Sequence, residues 1–178
     1  MSLATPTPED LRHAIRNIPD FPQPGIQFKD ITPVLANPRL FAAAVDLLTA
    51  NWPAGSVDAV AGIDARGFIF AAAAALRLNA GFIPIRKQGK LPFDTLEESY
   101  ALEYGTNTLA VHADALTPGS KVLLVDDLLA TGGTAVAAAR LLQRLSAEVV
   151  EVSCLVELAF LKGREKLGGL PFRSVVVF

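Results

Sequence analysis

A chain of 178 residues suits one domain with a substantial core, and its net charge of −2 offers no basic field that would point to nucleic acid or an anionic membrane. The hydrophobic fraction is 51%, but much of it is alanine, and the longest apolar stretch, Phe68 to Leu76, stops at Arg77, short of the about 20 residues that span a bilayer. One cysteine, Cys154, excludes an internal disulfide, His13 and His112 do not cluster with it as a zinc site would require, and Met1 to Pro6 shows no secretory signal, so a reducing cytoplasm is the expected setting.

Thr7-Pro8-Glu9-Asp10 supplies an N-cap, a proline for the first helical position and acids for the first turn. It predicts a helix with Leu11, Ile15 and Ile18 on one face, stopping at Pro19. Residues 20–25 are loop by composition, and 26–35 read as short and extended. The pattern then predicts a helix over 38–52, a buried strand over 57–63, a helix over 67–78 and a strand over 81–85. A hydrophilic stretch, 87–100, precedes an extended segment at 101–111. Val122 to Val125 is apolar throughout and reads as a strand covered on both faces. From 135 to 145 the period changes, and Val136, Ala139, Leu142 and Leu145 fall on one helical face. A strand over 149–156, a helix over 160–167 and a strand over 173–178 complete the chain. Repeated strand–helix–strand order predicts an α/β fold in a single domain: a mostly parallel twisted sheet flanked by helices on both faces.

The chemistry concentrates where the strand at 122–125 runs into Asp126-Asp127-Leu128-Leu129-Ala130-Thr131-Gly132-Gly133-Thr134. Open α/β sheets bind ligands outside the carboxyl ends of their strands. Gly132 and Gly133 let the backbone approach a ligand, the first N–H groups of the following helix are free, and Thr131 and Thr134 add hydroxyls, so a phosphate fits the loop. Asp126 and Asp127 would repel that phosphate and need another occupant. Vicinal sugar hydroxyls, a developing positive charge or a Mg²⁺ ion would each suit them. The constellation therefore asks for a ribose with its 5′-phosphate in the loop and its hydroxyls on the acids.

A second anion site is suggested by Gly62-Ile63-Asp64-Ala65-Arg66-Gly67-Phe68. Its glycine spacing is that of a nucleotide P-loop, but Phe68 stands where that motif needs lysine. Arg66, whose planar fork suits a diphosphate, again follows a strand and precedes a helix. The cluster Arg86-Lys87-Gln88-Gly89-Lys90 follows another strand and could close over the same diphosphate.

The segment 126–134 resembles the phosphoribosyl pyrophosphate signature of the type I phosphoribosyltransferases. Phe21 to Leu35, Asp64 to Phe68, Arg86-Lys87 with Lys90-Leu91-Pro92, Tyr100 to Gly105 and Leu161 to Lys166 are similar, in the same order, to the adenine phosphoribosyltransferase family. The resemblance implies the type I phosphoribosyltransferase fold, with residues 1–35 as N-terminal helix and base-binding hood and 36–178 as α/β core with a mobile catalytic loop near 90–105. It implies conversion of adenine and 5-phosphoribosyl-1-pyrophosphate, with Mg²⁺ held mainly by pyrophosphate and waters, to AMP and pyrophosphate in purine salvage by a cytoplasmic homodimer. By the same resemblance Ala130, Thr131, Gly132, Gly133 and Thr134 hold the 5′-phosphate, and Asp126 and Asp127 the ribose hydroxyls. Arg66, Lys87 and Lys90 handle pyrophosphate, and Glu103 is the acid of the catalytic loop. Phe28 stacks on the base, read mainly by backbone groups near Gln27 and Lys29, which stand where the family often has a small apolar residue and arginine. The family's frequent cis peptide before the diphosphate arginine maps onto Asp64-Ala65.

Two other readings share these residues. One is a phosphoribosyltransferase of the same fold for another base, a 6-oxopurine or a pyrimidine. The other is a non-catalytic regulator that senses purine or phosphoribosyl pyrophosphate, against which stands the lack of room for a separate basic DNA-binding domain.

Overall fold

A computed structural model describes residues 4–101 and 106–178. It divides into two compact units that meet in sequence between Leu47 and Leu48.

In the first unit, helix α1 (Pro8–Ala14) starts at a reciprocal cap. The Thr7 hydroxyl accepts from the Asp10 N–H at 3.3 Å, and the Asp10 carboxylate accepts from the Thr7 N–H at 2.7 Å. The helix is shorter than its apolar stripe suggests. Residues Arg16–Pro19 leave it to form strand β1, antiparallel to β2 (Gln27–Asp30), with Ile18 opposite Phe28. Arg16, itself opposite Asp30, makes an ion pair with it at 2.7 Å, and this cross-strand pairing outweighs one more helical turn. Only Leu11 and Ile15 of the expected stripe are buried. The segment read as extended over 26–35 likewise splits into β2 and a short helix α2 (Thr32–Ala36), because the Asp30 carboxylate accepts from the Thr32 N–H at 2.9 Å and turns the chain. Helix α3 (Pro38–Leu48) follows, with the Asn37 side chain accepting from the N–H groups of Arg39 and Leu40.

The second unit carries β3 (Ala59–Ile63), α4 (Gly67–Leu78), β4 (Gly81–Lys87), β5 (Thr95–Ala101), β6 (Thr106–His112), β7 (Lys121–Leu129), α5 (Gly133–Arg144), β8 (Glu148–Glu157) and β9 (Phe172–Val177). Among the described residues these strands form one sheet in the order β5-β6-β4-β3-β7-β8-β9. From β4 to β9 neighbours run parallel, and β6 and β5 add an antiparallel edge. This is the expected mostly parallel α/β sheet flanked by helices. Val122, Leu123, Leu124 and Val125 have no exposed surface, as a central strand covered on both faces requires. The chain leaves β3 toward β4 on one side and returns in β7 on the other, so the order reverses between β3 and β7. Such a reversal opens a crevice at the strands' carboxyl ends.

Two stretches of this unit differ from what the sequence pattern shows. In the hydrophilic stretch 87–100, to which the pattern assigns no element, residues 95–100 belong to strand β5, aligned with β6 from Thr95↔His112 to Ala101↔Thr106. Leu96, Glu98 and Tyr100 turn inward; Leu96 and Tyr100 pack on the core, and Glu98 meets Arg140 and Arg144 of α5 at 3.4 and 3.2 Å. The helix expected over 160–167 is instead two 3₁₀ turns, Ala159–Leu161 and Gly163–Leu167, hinged at Lys162 with φ of +53°. A left-handed residue cannot continue a right-handed helix.

Candidate active site

A cleft of about 410 Å³ opens at the reversal point. It is lined by Ile63 at the end of β3, the loop Asp64-Ala65-Arg66, Asp126 to Leu129 of β7, Ala130 to Gly132 of the following loop, and Thr134 and Ala135 of α5. Strand β7 outruns β3. Their pairing stops at Gly62↔Val125, whereas β7 stays paired with β8 as far as Leu129↔Glu157. Asp126 and Asp127 thus lie within a strand, beyond the last pair that it forms with β3.

The acids are held tightly. Asp127 is 6% exposed and its Oδ2 lies 2.8 Å from the Arg66 guanidinium. Oδ1 of Asp126 accepts from the Asp127 N–H at 2.9 Å and sits against Gly67, where an added Cβ would come within 2.5 Å of it. Glycine at the first position of α4 therefore leaves room for a carboxylate beside a helix N-terminus. Burial, reinforced by the charge of Asp127, pushes the Asp126 carboxyl well above the usual carboxylate range. Burial raises Asp127 too, opposed by Arg66. The pair resists carrying two charges and favours a partner that donates hydrogen bonds or brings positive charge.

The loop after β7 is shaped by close backbone approach. Gly132 has φ of +82°, and a Cβ there would lie 2.5 Å from the Gly163 carbonyl oxygen. At the start of α5, the Thr134 hydroxyl bonds the Tyr100 hydroxyl at 3.1 Å. On the opposite wall the Asp64–Ala65 peptide is cis. Arg86 ties this wall to the basic turn, with its Nε 3.3 Å from Asp64 Oδ2 and an Nη donating to the Lys90 carbonyl at 2.9 Å. Among the described residues no three His, Cys, Asp or Glu side chains gather as metal ligands, and no helix is long and apolar enough to cross a membrane.

The family model for the phosphoribosyl transferase domain matches residues 33–167. An adenine phosphoribosyltransferase of Acidothermus cellulolyticus is 59% identical over 162 residues, 91% of this chain and 92% of that protein. The chain belongs to the adenine phosphoribosyltransferases. A solved structure of adenine phosphoribosyltransferase from Rhodothermus marinus superposes with a TM-score of 0.92 at 50% identity, covering 96% of this chain and 98% of that one. Another, from Saccharomyces cerevisiae and complexed with an imino-altritol bisphosphate and adenine, does so at 0.90 and 39% identity, over 95% and 98% of the two chains.

In this chain, Arg66, Asp126, Asp127, Ala130, Thr131, Gly132 and Thr134 converge on one cleft. Gly133 opens α5 and faces a neighbouring hollow that it shares with Tyr100 and Arg140. Lys87 ends β4, and its carbonyl accepts from the Lys90 N–H at 3.2 Å in the adjoining turn. Gln27, Phe28 and Lys29 belong to the first unit. Asn17 of β1 donates to Gln27 at 2.6 Å and accepts from Lys29 at 3.1 Å, while Phe28 projects from the other face with its ring edge-on to Phe21. Burial, aided by the charge of Arg12, lowers the Lys29 ammonium pKa. Glu103 lies outside the described residues. Sequence reasoning missed Gly163 and the Tyr100 hydroxyl as neighbours of the loop. Neither carries a local signal, since both reach it from distant segments.

Proposed function

We infer that this chain transfers the 5-phosphoribosyl group of 5-phosphoribosyl-1-pyrophosphate to N9 of adenine, releasing pyrophosphate and forming AMP in purine salvage. The observation that carries this reading is the pairing of Arg66 with the buried Asp127 beside the glycine loop at the sheet's reversal point. In it, the loop 130–134 receives the 5′-phosphate through backbone N–H groups and the hydroxyls of Thr131 and Thr134. Asp126 and Asp127 accept hydrogen bonds from the ribose hydroxyls. Arg66, with Lys87 and Lys90 from the basic turn, takes the pyrophosphate.

The C1′–O bond to pyrophosphate breaks with its electron pair going to oxygen, N9 bonds to C1′, and the N9 proton leaves to a base. Positive charge grows on the sugar ring and negative charge on the leaving group, so carboxylates at the ribose and cations at the diphosphate match the transition state. Two hard carboxylate oxygens beside a phosphate-sized cleft fit Mg²⁺, which binds through phosphates and one or two carboxylates and keeps several waters. When bound, the ion would neutralise the diphosphate. Adenine would be read by backbone groups near Gln27 and Lys29, with Phe28 on the ring.

The reading includes a homodimer in the cytoplasm. Ile69 and Leu76, seven residues apart on α4, are 41% and 86% exposed and form an apolar stripe that a second copy would cover. The single cysteine, buried, agrees with a reducing compartment. Incubation with phosphoribosyl pyrophosphate, Mg²⁺ and either adenine or hypoxanthine tests the whole. AMP is expected readily and IMP only in traces, because the 6-oxo purine reverses the donor–acceptor pair that adenine presents. Comparable rates with both bases would overturn the adenine assignment, and no nucleotide from any base would overturn catalysis.

A further inference from the structure

Glu157 is the last residue of β8, 6% exposed, and in register with Leu129 of β7 and Val177 of β9. Its carboxylate accepts from Arg164 Nε at 3.1 Å and from Arg164 Nη2 at 2.7 Å, and from the Ser174 hydroxyl at 2.6 Å. The guanidinium also covers the Phe172 ring at 4.8 Å. Both partners register the bond: hydrogen bonding from Arg164 holds the Glu157 carboxyl below the usual range, and Glu157 raises the Arg164 guanidinium in turn. Such a two-pronged pair fixes orientation as well as distance.

What it orients is the residue before Arg164. Gly163 sits just past the left-handed corner at Lys162, with its backbone against the loop of the cleft. A Cβ on Gly163 would overlap the Ala130 carbonyl oxygen and reach 3.0 Å from the Gly132 N, and one on Gly132 would lie 3.2 Å from the Gly163 Cα. Just before the loop, the Leu158 N–H donates to the Leu129 carbonyl at 2.9 Å, so the end of β8 also braces the loop's base.

We propose that the Glu157–Arg164 pair is a positioning device for the phosphate loop, holding the Gly163 turn against Ala130 and Gly132 and so setting the geometry in which the loop receives a 5′-phosphate. Neither side chain lines the cleft. They act through the backbone of Gly163, and the proposal rests on the reading of residues 130–134 as the phosphate site.

Calorimetry with ribose 5-phosphate and, separately, with pyrophosphate tests it, alongside steady-state kinetics. In Arg164→Met the Kd for ribose 5-phosphate and the KM for phosphoribosyl pyrophosphate are expected to rise by about tenfold, as a slight misplacement of binding groups produces. The Kd for pyrophosphate and the KM for adenine should hold. Arg164→Lys, which keeps the charge but not the fork, should recover part of the loss. If Arg164→Met does not fold, Glu157→Gln carries the test by the same criterion. A folded variant of lower Tm with the parent's ribose 5-phosphate affinity would reduce the pair to a structural tie and overturn the proposal. Thr134→Val separates the two readings: if it leaves that affinity unchanged, the loop assignment falls and the proposal with it, whereas a weakened Thr134→Val beside an unaffected Arg164→Met overturns the positioning role alone.

Discussion

Glu103→Gln is expected to lower kcat by about 10²–10⁴-fold, the range of a positioned general acid or base, while the calorimetric affinity for phosphoribosyl pyrophosphate stays near that of the parent. Two neighbouring features motivate this. Strands β5 and β6 pair out to Ala101↔Thr106, and Tyr100, three residues before Glu103 in the sequence, meets the Thr134 hydroxyl at the start of α5. The cleft itself supplies the acids Asp64, Asp126 and Asp127. Asp64 is engaged by Arg86, and the other two by Arg66 and by each other. A proton leaving N9 of adenine then needs an acceptor from elsewhere, and a carboxylate flanked by Leu102 and Tyr104 is the candidate at hand. The amide keeps the shape and loses the basicity. A variant with normal kcat but weakened phosphoribosyl pyrophosphate binding would reassign Glu103 to binding.

Asp126→Asn is expected to separate stability from activity. Its carboxyl pKa is raised in the folded protein by burial and by Asp127, so the acid form favours folding. That contribution is complete below the ordinary carboxylate range and is lost as pH rises through the raised value, leaving a cost at neutral pH. The uncharged amide escapes the cost and can still accept from the Asp127 N–H. At pH 7 the variant should melt at a higher temperature than the parent, and the gain should vanish toward pH 3. In the same variant kcat/KM should fall by at least about tenfold, roughly 1.4 kcal/mol, because a charge opposite the developing cation is gone. Asp127→Asn should lose activity similarly without the thermal gain, since the ion pair with Arg66 at 2.8 Å goes with it. Unchanged kinetics in both variants would leave the pair as a strand end and no more.

The parts of this molecule that were legible beforehand are those whose determinants are local. Helix α4 occupies the predicted residues because Gly67 opens it and Asn79, left-handed with φ of +53°, closes it. The cleft was legible for the same reason, since its residues sit directly after two strands that the apolar pattern reveals. Strand β5 was hidden because Glu97 and Glu98 look solvated until Arg140 and Arg144 arrive from α5 to cover Glu98. Strand β1 was hidden because Ile18 continues a helical spacing that Arg16, paired with Asp30, breaks. The turn at Lys162 and Gly163 lies in a stretch whose pattern predicts helix, and the reason for a glycine there appears only once residues 130–132 lie against it.

Cys154 gives this protein a built-in gauge of its own breathing. The thiol is fully buried on β8, in register with Asp126 of β7 and Ser174 of β9. Burial, with the nearby charges of Asp126 and Asp127, pushes its pKa well up. A thiol reagent can therefore react only when the sheet opens around β8, so the labelling rate of the native protein reads that opening. Because a ligand that binds only the closed form makes opening rarer by the factor 1 + [L]/Kd, ribose 5-phosphate should slow the labelling in proportion to its occupancy.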